Sequence, residues 1–260
     1  MKGFFVKFVH NLFPFKGDGI RQSALKIVFL VSLATMLISG IWLISYHADS
    51  RHAEKEINAA RDIWRGALPT ERFDSLRKEN SDFRAWLSIS SIGIDHPVYQ
   101  AEDNAYYLKH NGKKESSRYG ALFFSYDDTA DENGTDKNLV IFGHNMKDGS
   151  MFAPLEGYRN QEFFEKNREI VLSFGARDYT YEIFSVCVID VTGESGEQPD
   201  VMRDSFETPE QLSEWAETLT SKSLVKSDIF PEFDSGMLTL ITCGDDYAKT
   251  RIAVSAVLKN

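Results

Sequence analysis

The chain has 260 residues and a formal charge of −10, distributed as +4 over residues 1–45 and −14 over the remainder. An acidic bulk excludes a nucleic-acid reader, which needs a basic face to displace phosphate counterions. Two cysteines, Cys187 and Cys243, are too few for a disulfide framework.

The first element is an uncharged apolar run from Ile27 to Ser45. Nineteen helical residues reach about 28 Å, close to the ~30 Å hydrocarbon core of a bilayer. Lys2, Lys7, Lys16, Arg21 and Lys26 lie before it and mixed charges follow. The positive-inside bias therefore predicts a single-pass anchor in the cell membrane, with a cytoplasmic N-terminus and the bulk outside. A cleaved signal peptide is the alternative. Its apolar core is shorter, about 7–15 residues, and no small-x-small site follows Trp42–Tyr46. The resulting partition is a basic cytoplasmic segment (1–26), an anchor (27–45), a juxtamembrane helical segment (46–80) and a main domain (81–260).

Within 46–80, Ile57, Ala60, Ile63 and Trp64 form an apolar stripe on a helix ending near Arg65. A short helix over Thr70–Asn80 follows, with Thr70 as cap. Beyond Asp82 the pattern changes to eight runs rich in Val, Ile, Phe and Tyr: Trp86–Ile89, Gly93–Tyr99, Ala121–Tyr126, Asn138–Gly143, Glu169–Phe174, Tyr179–Val191, Met237–Thr242 and Arg251–Leu258. Turn clusters separate them, which predicts a mostly β domain closed as a barrel, with helices at Asn104–Leu108 and Pro209–Ser221. Thr208 is placed to cap the second helix. The acidic cluster Asp127, Asp128, Asp131 and Glu132 lacks the EF-hand ligand order and reads as a solvated loop.

Cys243 ends one strand run, Arg251 opens the next and His144 closes a third. These are a candidate nucleophile, oxyanion donor and acid/base. A thiol of pKa ~8.5 is only a few per cent thiolate at neutral pH, so it needs a cation or base beside it. Each residue has an ordinary alternative: a buried cysteine, a turn histidine, and a strand-end arginine paired with Asp245 or Asp246. Cys187 lies inside the β-rich run Tyr181–Ile189, where a small buried hydrophobe is the ordinary role. A Cys187–Cys243 bridge is the alternative for both thiols. No second histidine or cysteine stands at metal-ligand spacing from His144.

The segments Thr239-Leu240-x-Thr242-Cys243 with Arg251, and Phe142–Phe152 reading FGHNMKDGSMF, resemble the sortases in their class B branch. Sortases are cysteine transpeptidases that attach proteins to the Gram-positive cell wall. Trp86-Leu87-x-Ile89, Pro97–Gln100 and Asp103-Asn104-x-x-Tyr107-Leu108 add to the likeness, which spans residues 81–260. It implies a sortase-type eight-stranded β-barrel with helices before it and between the sixth and seventh strands. It also implies catalysis by Cys243, His144 and Arg251 without metal or cofactor, and a substrate groove lined by Asn104, Leu108, Phe142, Ile241 and Thr242. The implied reaction cleaves the C-terminal sorting signal of a secreted protein at a threonine and passes the thioacyl group to a peptidoglycan precursor amine. Ile241 stands where class B members often have serine, and Phe142 lacks the usual tyrosine hydroxyl; both bear on the sorting motif. Acceptance by a pilin lysine and a non-catalytic membrane-anchored binding module are the alternatives. An L,D-transpeptidase would place histidine two residues before its cysteine, where this chain has Ile241.

Overall fold

The computed structural model describes residues 12–14, 17–130, 137–190, 192, 194, 196, 198–243 and 249–259, with Cys243 through its backbone. Two compact units divide the chain, Met1–His52 and Ala53–Asn260. Helix α1 (Ile20–Gly66) begins in the first and runs unbroken into the second. Its N-terminal part is long and apolar enough to cross a membrane, and none of that window is buried. Asp18 and Lys26 pair at 2.8 Å beside it.

The second unit is built on a closed barrel with strand order β1-β2-β3-β4-β7-β8-β6-β5. The strands are β1 (Phe83–Ile89), β2 (Ile94–Tyr99), β3 (Leu122–Phe124), β4 (Asn138–His144), β5 (Glu169–Phe174), β6 (Arg177–Asp190), β7 (Met237–Cys243) and β8 (Thr250–Leu258). All eight expected runs are strands. Their shared cause is β-branched and aromatic content, which suits a pleated surface buried on both faces. The pairs β2–β3 and β4–β7 are parallel, and the others are antiparallel.

Side chains alternate between two apolar layers, as the period of a strand requires. Leu139 and Ile141 of β4 join Leu238 and Leu240 of β7 in one cluster, while Val140 and Phe142 join Met237 and Ile241 in the other. Helices cover the second layer. The C-terminal part of α1 contributes Ala60 and Trp64, with Trp64 stacked on Trp86 at 5.0 Å between ring centroids. Helix α2 (Arg72–Glu79) adds Leu76. The C-terminal part of α1 and helix α2 thus pack on the barrel. Thr70 does not cap α2; Glu71 holds the N-cap position and makes no side-chain cap bond.

Helix α3 (Tyr106–Lys109) is shorter and later than expected. Two elements lack a strong sequence signal: a 3₁₀ segment over Ala153–Arg159 and helix α4 (Gln161–Lys166). Helix α5 (Pro209–Ser221) has the expected bounds, and the Thr208 side chain accepts a bond from Gln211 N. It buries Leu212, Trp215, Ala216 and Leu219. Full burial of each large apolar side chain is worth about 1.5–3 kcal/mol.

Asp128 is not solvated. It is buried, and its Oδ2 accepts from Val140 N at 2.7 Å, so this acidic loop is tied to β4. Asp131 and Glu132 lie outside the described residues.

Candidate active site

Register places the three candidate residues together. In the parallel β4–β7 pair, His144 lies directly opposite Cys243. In the antiparallel β7–β8 pair, Ile241 faces Ala253. Two residues further in each direction stand Cys243 and Arg251, the backbone positions that continue this register. Arg251 is itself opposite Ile189 on β6. His144, Cys243 and Arg251 therefore occupy one row at the end of three adjacent strands, spaced about 4.8 Å from strand to strand.

A local device fixes the β7–β8 end of that row. Thr242 is buried, and its Oγ1 accepts from Ile252 N at 2.9 Å. Thr242 thus locks the strands one position before both Cys243 and Arg251. Arg251 is half-buried and makes no ion pair or hydrogen bond among the described residues. The neighbouring Lys249 pairs with Glu194 at 3.2 Å. Asp245 and Asp246, the expected alternative partners of Arg251, lie outside the described residues.

The His144 side chain is half-buried, and its Nε2 lies 2.8 Å from the Leu108 carbonyl oxygen. The loop after it folds back: Phe152 N donates to His144 O at 2.9 Å, and Gly149 turns with φ +85°. Tyr119 donates its hydroxyl to Asp148, pinning that loop to the segment before β3.

The expected groove residues separate into two groups. Phe142 and Ile241 sit opposite each other on β4 and β7, both buried in the outer apolar layer. Phe142 stacks on Phe123 at 5.4 Å. Leu108 is half-buried and reaches His144 through its carbonyl oxygen. Asn104 is engaged elsewhere. Its Nδ2 donates to Ser125 Oγ at 3.2 Å and its Oδ1 accepts from Tyr126 N at 2.9 Å. Gly120 and the Tyr119–Asp148 contact gave no signal in the sequence.

Cys187 is buried on β6, and its thiol is free. Burial pushes its pKa up against the hydrogen bond from Ser185. No bridge joins it to Cys243. Among the described residues, no group of three or more His, Cys, Asp or Glu side chains is arranged to hold a metal.

The sortase domain family model matches residues 87–259. Sortase B of Listeria monocytogenes is 30% identical over 244 residues, covering 90% of this chain and 96% of that protein. The chain belongs to the sortase family, in its class B branch. Solved structures agree. Sortase B of Clostridium perfringens is 34% identical with a TM-score of 0.64, covering 72% of this chain and 99% of that one. Sortase B of Bacillus anthracis is 28% identical with a TM-score of 0.72, covering 82% and 98%. This sortase is therefore a cysteine transpeptidase by family, and its barrel is the sortase barrel.

Proposed function

We propose that this sortase is a membrane-anchored transpeptidase in which Cys243 is the nucleophile, His144 the acid/base and Arg251 the oxyanion donor. Residues 1–26 are cytoplasmic, 27–45 span the membrane, 46–80 connect and 81–260 form the extracellular catalytic domain. The observation that carries the reading is the single row of His144, Cys243 and Arg251 across β4, β7 and β8. A nucleophile needs a base within reach and a donor aimed at the charge that develops on the attacked carbonyl.

In this reading Cys243 attacks the carbonyl of a threonine within a C-terminal sorting signal. His144 delivers a proton to the departing amine, leaving a thioacyl-enzyme. A peptidoglycan precursor amine then resolves it. Arg251 suits the oxyanion because its guanidinium stays charged and offers forked donors. Its lack of a partner among the described residues leaves those donors for substrate. Phe142, Ile241, Leu108, Thr242 and Asn104 remain the groove candidates. Thr242 and Asn104 act there through the backbone they hold, since their polar atoms are engaged within the fold.

The test is a quenched peptide carrying an Asn-Pro-x-Thr or Pro-x-Thr-Gly motif, presented with a nucleophilic amine to the full chain in detergent. Wild-type enzyme should release the C-terminal fragment and show a peptide–enzyme thioester by intact mass. Cys243→Ala should show neither. Cleavage by Cys243→Ala would overturn the assignment.

A further inference from the structure

A carbonyl oxygen only accepts hydrogen bonds, so the His144 nitrogen 2.8 Å from Leu108 O must carry a hydrogen. That nitrogen is Nε2, and it keeps its hydrogen in the neutral and in the cationic ring. We propose that the proton this enzyme moves resides on Nδ1, and that Leu108 and Gly120 are the positioning residues that impose this choice. The inference rests on His144 being the acid/base.

The Leu108 carbonyl is presented by an ordered set of neighbours. A helix end leaves its last carbonyls without intrahelical partners. In α3 each of the four finds a different one. Tyr106 O meets His110 Nδ1 at 2.8 Å. Tyr107 O accepts from Ala121 N at 2.9 Å, and Lys109 O accepts from Ser117 N at 2.8 Å. Leu108 O, held between those two backbone bonds, is left for His144. The helix is anchored from beneath: Tyr107 is buried, donates its hydroxyl to Asp82 at 2.8 Å and accepts from Asn80 Nδ2 at 2.9 Å.

Gly120 closes the same edge of the ring. It adopts φ +58°, and a Cβ there would lie 3.1 Å from His144 Cδ2, 3.2 Å from Leu108 O and in hard collision with Tyr107 O. Only glycine lets the chain pass so close to the Cδ2–Nε2 edge. His144 O is meanwhile fixed by Phe152 N, so the backbone that carries the ring is held as well. Nδ1, on the other edge, has no hydrogen-bond partner among the described residues.

The proton accounting follows. The Cys243 thiol proton passes to Nδ1, and the thiolate forms a C–S bond to the threonine carbonyl carbon. On collapse the C–N bond breaks, and Nδ1–H gives its proton to the departing amine nitrogen. The acceptor amine then attacks the thioester carbon and loses a proton to Nδ1. The C–S bond breaks and sulfur leaves as thiolate. Nε2–H stays on Leu108 O throughout.

The experiment replaces His144 with Nδ1-methylhistidine in the full chain, which blocks Nδ1 and leaves Nε2 as the ring's only nitrogen able to take up or release a proton. Turnover per folded molecule should fall by about 10²–10⁴-fold, the usual contribution of a general acid. Near-normal turnover would overturn the proposal. Ring-¹⁵N histidine spectra of the native chain in detergent decide the same point independently of that variant's folding. With His144 assigned by the signal lost in His144→Gln, the neutral ring should be the Nε2–H tautomer, and an Nδ1–H tautomer would refute us. Gly120→Ala should mix the tautomers and lower kcat about ten-fold at unchanged KM, since it disturbs proton transfer rather than binding. An unmixed Nε2–H spectrum with normal kcat would remove Gly120 from the proposal. The two readings fail separately. Turnover by Cys243→Ala sinks the transpeptidase assignment, whereas inactive Cys243→Ala and His144→Ala beside an active Nδ1-methyl enzyme sinks only the choice of nitrogen.

Discussion

Arginines on two sides of the barrel are treated differently. Beside β1, β2 and β5, Arg61 Nε bonds Asp95 at 3.0 Å and Arg65 bonds the same carboxylate at 2.7 Å. Arg72 pairs with Asp178 at 3.2 Å and lies 3.9 Å over the Trp64 ring. At the end of β8, Arg251 is half-buried with no such partner among the described residues. Partly burying a cation costs free energy that a partner offsets, as Asp95 and Asp178 do on the first side. The contrast separates cations that join α1 and α2 to the barrel from the arginine proposed above as the oxyanion donor.

The sharpest test of that contrast exchanges the guanidinium for an ammonium on each side. Arg251→Lys should cost about 10²–10³ in rate, roughly 3–4 kcal/mol of transition-state stabilisation, with little change in melting. Arg61→Lys should do the reverse. It loses the forked bonds to Asp95 Oδ2 and the Asp95 carbonyl, so stability should fall by about 1–3 kcal/mol at unchanged turnover per folded molecule. Turnover beside thermal melting reads both. An Arg251→Lys enzyme that melts early yet turns over normally would make Arg251 one more structural cation.

A second prediction uses pH to probe the β1–β2 side alone. His96 is buried on β2, and desolvation, reinforced by Arg61 and opposed by Asp95, lowers its pKa to about 4. The folded state thus holds it neutral, while the unfolded chain takes a proton below pH ~6.5. Between about pH 6.5 and 4 the unfolded state binds more protons, so stability falls as pH falls, by about 3 kcal/mol in all. Asp82, whose carboxyl is lowered by Lys114 and Tyr107 against its own desolvation, loses its contribution only at lower pH. Urea unfolding of wild type and His96→Gln at pH 7, 5.5 and 4.5 should show a flatter pH dependence for the variant. Parallel curves would remove His96 as the cause.

The strands were legible because each is a run of β-branched and aromatic residues, and α5 because Thr208 and Pro209 announce its start. The short segments Ala153–Arg159 and Gln161–Lys166 were not, since neither is long enough to display a helical period. Asp128 read as solvated because an acidic cluster suggests a loop; no composition shows that a β4 amide will claim the carboxylate. The candidate triad was legible from residue type and strand position. Its row was not, because β4 and β7 are far apart in sequence and their parallel pairing is set by the closed barrel. The Leu108–His144 bond was hidden for a different reason: a backbone acceptor has no residue letter.

The smallest expected effect contrasts the two thiols. Cys187 lies opposite Ala253, the residue that faces Ile241 two positions before Cys243 on β7. Yet Cys187 is 2% exposed, and its Sγ rests 3.4 Å from both Leu219 O and Ser185 Oγ. Burial, which raises its pKa, keeps the thiol protonated and unreactive. Cys187→Ala should therefore be a packing change of about 1–2 kcal/mol, with the rate per folded molecule unchanged. In native enzyme a thiol-reactive probe should modify Cys243 alone, and Cys187 should react only as the chain unfolds. Modification of Cys187 at the rate of Cys243 in folded protein would erase the difference between the two positions. Loss of turnover in Cys187→Ala without loss of stability would show that this strand shapes the site through more than packing.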